Sequence, residues 1–166
     1  MNLFKKRSRY EKKVFVLFFG FNCSLTIGQE VKSLSTGSYD REEEVVTFMK
    51  KAMDYAKLNG KKEVLKEFIN RDGEFIEDEL YIYAYDFNGT VISRGGQPEL
   101  VGKNLISMTD TDGVQVIKEL IKLAKQGSGR LEYLWPNPEH GNKIESKVGY
   151  VMKVDSTWFL GSGVYR

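Results

Sequence analysis

The stretch from Leu80 to Arg94, "LYIYAYDFNGTVISR", constrains the fold more than any other part of the chain. Leu80, Ile82 and Ala84 alternate with Tyr81, Tyr83 and Tyr85. Strict period-two alternation of β-favouring residues specifies a strand with two distinct faces. Asn88-Gly89 then supplies the turn residues that a tight hairpin needs before "TVIS" continues as a second strand. One face is aliphatic and suited to packing on a helix. The other carries three tyrosines, which combine an apolar ring with a hydroxyl that needs a partner when buried.

The segments around this hairpin alternate between helical and strand periods. Upstream, "DREEEVVTFMKKAMDYAKL" sets Val45, Met49, Ala52, Met53 and Ala56 on one helical face. Asp40 is the expected N-cap, and Gly60 the expected break. "KKEVLKEFINRDG" follows as a shorter amphipathic helix through Val64, Leu65, Phe68 and Ile69. Downstream of the hairpin, residues 95–112 form a loop long enough to suggest function, with Leu100, Val101, Leu105 and Ile106 as one wall of a pocket and Gly102 and Lys103 at its rim. "DGVQVIKELIKLAKQG" is a helix, with Asp112 as expected N-cap and Gln115 completing a capping box. Strand-like runs at 129–135, 145–154 and 157–165 end the chain. Helices gathered on an antiparallel five-stranded sheet make an α+β fold, PAS-like in its long N-terminal helix and in the single helix that crosses between strands two and three.

The 166 residues predict one domain preceded by a targeting segment. With 41% hydrophobic and 13% aromatic residues, the chain can bury a core and is not disordered. Residues 1–28 hold six Lys or Arg against one acid, and the apolar run "VFVLFFGF" follows the basic start. Eight apolar residues suit a signal peptide and fall well short of the roughly 20 that span a bilayer. The expected organisation is a signal peptide at 1–28, a linker at 29–40 and a ligand-binding domain at 41–166. Periplasmic or secreted location follows, with anchoring by an uncleaved N-terminal segment as the alternative. Without residues 1–28 the chain has 19 basic and 22 acidic residues, and this mild acidity offers no footprint for nucleic acid. Cys23, the only cysteine, lies in the same segment, so the expected mature chain has no disulfide, thiolate metal site or cysteine nucleophile.

No enzymatic motif emerges. His140 is the only histidine and sits in the loop "NPEHGN". There is no nucleophile elbow and no phosphate-binding glycine loop. "MTDTDGVQVIKE" places Asp110, Asp112, Gly113 and Glu119 at four positions of a calcium loop, but Met108 stands at the first, where a hard cation needs oxygen. No metal and no cofactor are expected. A different constellation points to binding: on the strand at 129–135, Leu131, Tyr133 and Trp135 share a face, and Lys147 follows on the next strand. Cations beside amphipathic aromatics suit a small anionic ligand, since an unpaired buried carboxylate is prohibitively costly. Lys147 and Arg94 are the candidate cations, with Tyr81, Tyr83, Tyr133, Trp135 and Tyr150 as candidate lining residues.

Three blocks, "LYIYAYDFNGTVISRGGQPELVGKN", "DTDGVQVIKELIKLAKQGSGRLEYLWPNP" and "SKVGYVMKVDSTWFLGSGVY", resemble in order and spacing the single Cache domain of the second type. The resemblance runs from about residue 61 to Tyr165. It implies an extracellular small-molecule sensor, often for short organic acids, and a membrane-bound signalling partner. Family members often have a histidine near the end of the second strand, where this chain has Arg94 followed by Gly95-Gly96. They usually continue into a transmembrane helix and an output domain, whereas this sequence stops at Arg166. The expected function is therefore an exported, non-enzymatic ligand-binding module without its own output domain. The alternative is a secreted structural or interaction module whose pocket its own side chains fill.

Overall fold

A computed structural model describes residues 36–77 and 79–166. The expected signal peptide lies outside the described residues, as do residues 29–35 of the expected linker. Three α-helices, α1 (Thr36–Leu58), α2 (Lys61–Glu67) and α3 (Val116–Lys125), accompany seven strands: β1 (Ile76–Glu77), β2 (Leu80–Tyr81), β3 (Tyr83–Asp86), β4 (Val91–Arg94), β5 (Ser128–Asn137), β6 (Lys143–Lys153) and β7 (Trp158–Tyr165). β1 and β2 form a small ribbon. The other five make an antiparallel sheet in the order β4-β3-β7-β6-β5, so the α+β, PAS-like architecture is the one observed.

The two faces of the first hairpin sort the whole core. Leu80, Ile82 and Ala84 join Trp158, Leu160 and Val164 from β7 beneath α1 and α2, which contribute Val45, Met49, Ala52, Val64 and Phe68. Tyr81, Tyr83 and Tyr85 join Tyr133, Trp135 and Phe159 on the opposite face, under α3 with its Val116, Ile117, Leu120 and Ile121. Period two in the strands and period 3.6 in the helices thus meet at two separate interfaces.

Local details depart from expectation at the starts of α1 and α3. α1 begins at Thr36, so it takes in residues 36–40 of the expected linker, and Asp40 lies inside it instead of capping it. α3 begins at Val116 after Gln115, whose side chain makes no capping bond and instead accepts from Lys118 Nζ at 3.1 Å. The capping box fails because Asp110 takes over: its Oδ1 accepts from the amides of Asp112 at 3.0 Å and Val114 at 2.8 Å. The turn at Asn88-Gly89 forms as expected. Gly89 adopts φ 88°, and Asp86 Oδ1 accepts from the amides of Asn88 and Thr90.

The long loop is stitched to both edges of the sheet. Near its start, Val91 N donates to Lys103 O and Gly102 N to Val91 O, extending the outer edge of β4. Near its end, Asp110 Oδ2 accepts from Leu134 N at 3.1 Å, on the outer edge of β5. Leu105, Ile106 and Met108 between these anchors, and Leu100 just before the first, pack on the tyrosine side, whereas Val101 is 42% exposed and belongs to no wall.

Candidate ligand-binding site

The tyrosine face is built from rows of directly opposed residues. Tyr133, Lys147 and Tyr165 stand side by side across β5, β6 and β7. Arg94, Tyr83 and Gly161 do so across β4, β3 and β7. Arg94 reaches this face through an irregularity in the ladder. Tyr85 pairs with Val91 but Ala84 pairs with Ser93, leaving Ile92 as an extra residue on β4. Such a bulge shifts the alternation by one, so Arg94 sits beside Tyr83 instead of turning toward α2. Ser93 takes that direction and donates to Leu65 O at 2.9 Å. Glycines leave room for the rings: a Cβ on Gly149 would meet Tyr133 Cε1 at 2.8 Å.

Two cations are buried in this face, Lys147 at 1% exposure and Arg94 at 3%. Lys147 Nζ donates to Tyr81 Oη at 3.0 Å and lies 4.5 and 4.4 Å from the ring centres of Tyr81 and Tyr165. Arg94 donates to Tyr85 Oη at 3.0 Å and to Tyr81 Oη at 3.3 Å, with its guanidinium 5.2 Å from the Trp135 ring. Among the described residues no carboxylate bonds to either cation. Arg94 Nε and Trp135 Nε1 are buried donors with no acceptor among the described residues. Buried charges and donors are normally paired, so this face holds more positive charge and donor capacity than its own residues use.

The ionisation of these groups follows from that imbalance. Burial pulls the Lys147 ammonium below the ordinary lysine range; Tyr81 opposes the shift, and the nearby Arg94 charge adds to it. Burial pushes the phenols of Tyr83, Tyr85 and Tyr133 up. Burial also works to raise Tyr81, but Lys147 and Arg94 together outweigh it and bring the Tyr81 phenol down to about 7.

A cleft of about 270 Å³ opens beside the cations. Tyr81 and Tyr165 line it, with Gly95, Gly96, Arg71 and Glu79 among its other walls. Lys147 and Arg94 are not in its lining; Lys147 lies against the two rings that are. A more open groove of about 550 Å³ runs along α1, but Glu43, Glu44 and Glu77 line it against Lys51 alone, which disfavours an anion.

Of the residues selected from sequence, Tyr81, Tyr83, Arg94, Tyr133, Trp135 and Lys147 converge on one face. Tyr150 does not. Its position on β6 is three from Lys147, an odd step, so its side chain lies on the α1 side, where it and Arg130 donate to Glu42. Tyr85 and Tyr165 were missed as partners of the cations. The alternation that selected Tyr81 and Tyr83 contains Tyr85 as well, while Tyr165 follows from β7 pairing with β6. His140 is largely exposed and paired with Glu145 at 2.9 Å, away from the cations.

A family model described as a Cache domain matches residues 25–166. The chain belongs to the Cache domain family. The sensor histidine kinase MctS of Rhizobium johnstonii is 40% identical over 86 residues, which are 51% of this Cache domain chain and 18% of that protein. The methyl-accepting chemotaxis protein McpP of Pseudomonas putida is 31% identical over 87 residues, 51% of this chain and 16% of that protein. The chain thus spans less than a fifth of the length of these relatives. A crystal structure of a methyl-accepting chemotaxis protein from Vibrio parahaemolyticus is similar with a TM-score of 0.68 at 28% identity, over 77% of this chain and 90% of that one. A structure described as the "structural basis for carboxylic acid recognition by a Cache chemosensory domain" gives 0.63 at 25% identity, over 80% of this chain and 99% of that one. The single Cache domain is a ligand-binding sensory module.

Proposed function

We propose that this Cache domain binds a small organic acid outside the cytoplasmic membrane. The carboxylate is held by Lys147 and Arg94, and the ligand body packs against Tyr81, Tyr83, Tyr133 and Trp135. One observation carries the proposal: two cations are buried side by side with no carboxylate bonded to either among the described residues. Arginine offers a planar fork that matches a carboxylate, and lysine adds a second donor from β6, across β3 and β7 on the same face of the sheet. The similar Cache domain described for carboxylic acid recognition supports the same ligand class.

A panel of two- to four-carbon acids in a thermal-shift assay tests this. Saturation at 100 times the dissociation constant stabilises the fold by about 2.7 kcal/mol, and substitution of Lys147 removes the shift. The side-chain-filled reading draws on the seating of Lys147 between the Tyr81 and Tyr165 rings. Failure of every acid in the panel to stabilise the protein would select it.

Residues 1–28 are proposed to act as a signal peptide, delivering the domain to the periplasm or beyond, where it informs a membrane-bound signalling partner. N-terminal sequencing of exported protein then starts at or near Gln29. A soluble cytoplasmic product that retains residues 1–28 refutes export.

A further inference from the structure

As an ammonium and a guanidinium, Lys147 and Arg94 can only donate hydrogen bonds, and both spend one on the same oxygen, that of Tyr81. A neutral phenol at that position must place its own proton beside two donors, with only the Tyr165 hydroxyl, itself donating to Pro136 O, in reach, while a phenolate accepts both donors without conflict. We propose that Tyr81 is the resident anion of the empty site, and that an incoming carboxylate takes its place between Lys147 and Arg94 while the Tyr81 oxygen picks up a proton from water. This rests on the anion-binding reading above and adds to it the group that the ligand displaces. The proton and charge balance closes. The empty cluster carries two cations and a phenolate. The occupied one carries two cations, a carboxylate and a neutral phenol, with the same net charge.

The surroundings single out Tyr81 among the phenols. Tyr85 from β3 meets Arg94 alone, Tyr165 from β7 donates to Pro136 O at 2.8 Å, and Tyr83 from β3 donates to Tyr150 O at 3.3 Å. Tyr133 from β5 meets neither cation through a hydrogen bond. Lys147 from β6 and Arg94 from β4 are the charges that face Tyr81, and Glu79, the acid nearest in sequence, is paired with Arg41. Arg71, Glu79 and Glu139 share the cleft with Tyr81. The cleft reaches Tyr81 and not the cations, so a ligand entering through it meets this ring first. The lowered Tyr81 phenol agrees with the same geometry.

Displacement makes binding depend on pH in one direction. Above neutrality the empty site has lost the Tyr81 proton and the occupied site has regained it, so each acid bound takes up one proton. Affinity then falls by about tenfold per pH unit as pH rises, and levels off below neutrality, where Tyr81 is already protonated. The acid itself stays ionised across this range and adds nothing to the trend.

The experiment has two arms. In the first, the exported chain without ligand is titrated from about pH 5.5 to 9 while tyrosinate absorbance is followed, well below the ordinary tyrosine range. One phenol is expected to ionise near neutrality and to vanish in Tyr81→Phe. In Lys147→Met that ionisation is expected to move up into or beyond the ordinary range, which serves if Tyr81→Phe does not fold. Absence of a tyrosinate forming near neutral pH in the wild type overturns the inference and leaves the acid-binding reading untouched. In the second arm, acetate is titrated calorimetrically above neutrality in two buffers of different ionisation enthalpy. Uptake of close to one proton per acetate supports the inference, and binding with no proton exchanged overturns it. Failure of acetate, lactate and succinate alike to bind overturns displacement together with the acid-binding reading.

Discussion

Replacing Lys147 with Met is expected to stabilise the empty protein while abolishing its binding. Methionine keeps the length and apolar stem of lysine and deletes the charge. The losses are one charged hydrogen bond to Tyr81, about 1.5–3 kcal/mol, and the two ring contacts at 4.5 and 4.4 Å, together about 2 kcal/mol when desolvated. Against these stands the cost of holding an ammonium at 1% exposure beside a second buried cation, several kcal/mol for the desolvation alone. Tyr81 regains its proton once Lys147 is gone, so both charges of the pair leave together; buried ion pairs replaced as a whole often stabilise by about 1–4 kcal/mol, and the low end of that range fits here. Thermal unfolding without ligand should rise by roughly 4 °C per kcal/mol. Affinity for an acid should fall by about 2–5 kcal/mol, or roughly 30- to 5,000-fold, as for other desolvated charge pairs. Calorimetric melting and a binding titration on the same preparation read both quantities. A variant that melts far below the wild type, yet binds acids unchanged, would refute the reasoning, because Lys147 would then be a structural cation and no part of the site.

Asp110→Ala removes the acceptor for the amides of Asp112, Val114 and Leu134 and should cost about 1–3 kcal/mol. Faster hydrogen exchange at Leu134, with the β5–β6 pairing intact, is the specific signature; unchanged exchange there would show that the loop is held by its β4 anchor alone. Glu42→Gln weakens a clasp between α1 and β5, β6 and the C-terminal end, where Glu42 accepts from Arg130, Tyr150 and Arg166. Hydrogen bonding from Arg130, then Tyr150 and Arg166, holds the Glu42 carboxyl down at about 2 from its ordinary 4.5. The stability it contributes is therefore full above pH 4.5 and lost as pH falls toward 2. The substitution should cost about 1 kcal/mol at neutral pH in denaturant unfolding, and the gap should close in acid. An equal gap at pH 7 and near pH 2 would remove Glu42 from that role.

Much of the fold was legible because its signals are local. Alternation from Leu80 to Tyr85 separates the tyrosine face from the aliphatic one before any partner strand is known, since successive side chains point to opposite sides. The apolar spacing in α1 and α3, the turn at Asn88-Gly89 and the three final strands are read in the same way. The same parity explains why Tyr133 and Trp135 share a face, and it would have excluded Tyr150 once Lys147 was chosen. Local capping signals proved weaker. Asp112 and Gln115 fit a capping box, but Asp110 captured the amides instead and also reached across to Leu134. The loop's tie to β5 joins residues 24 positions apart, which no short motif records.

The site itself was decided by pairing across strands. In "TVISR" a regular alternation gives Ser93 the tyrosine side and turns Arg94 toward the helices, and only the extra residue Ile92 in the ladder with β3 reverses them. Lys147 stands between Tyr133 and Tyr165 because β6 lies between β5 and β7 in a fixed register, and a slip of one residue would have put Val148 there. The sequence by itself determined which side chains each strand could present together, because that depends on the backbone of a few neighbouring residues. The tertiary structure alone decided that two cations and one phenol would meet out of water, because their proximity, their burial and the resulting shift in Tyr81 depend on groups that sequence order leaves as far as 66 residues apart.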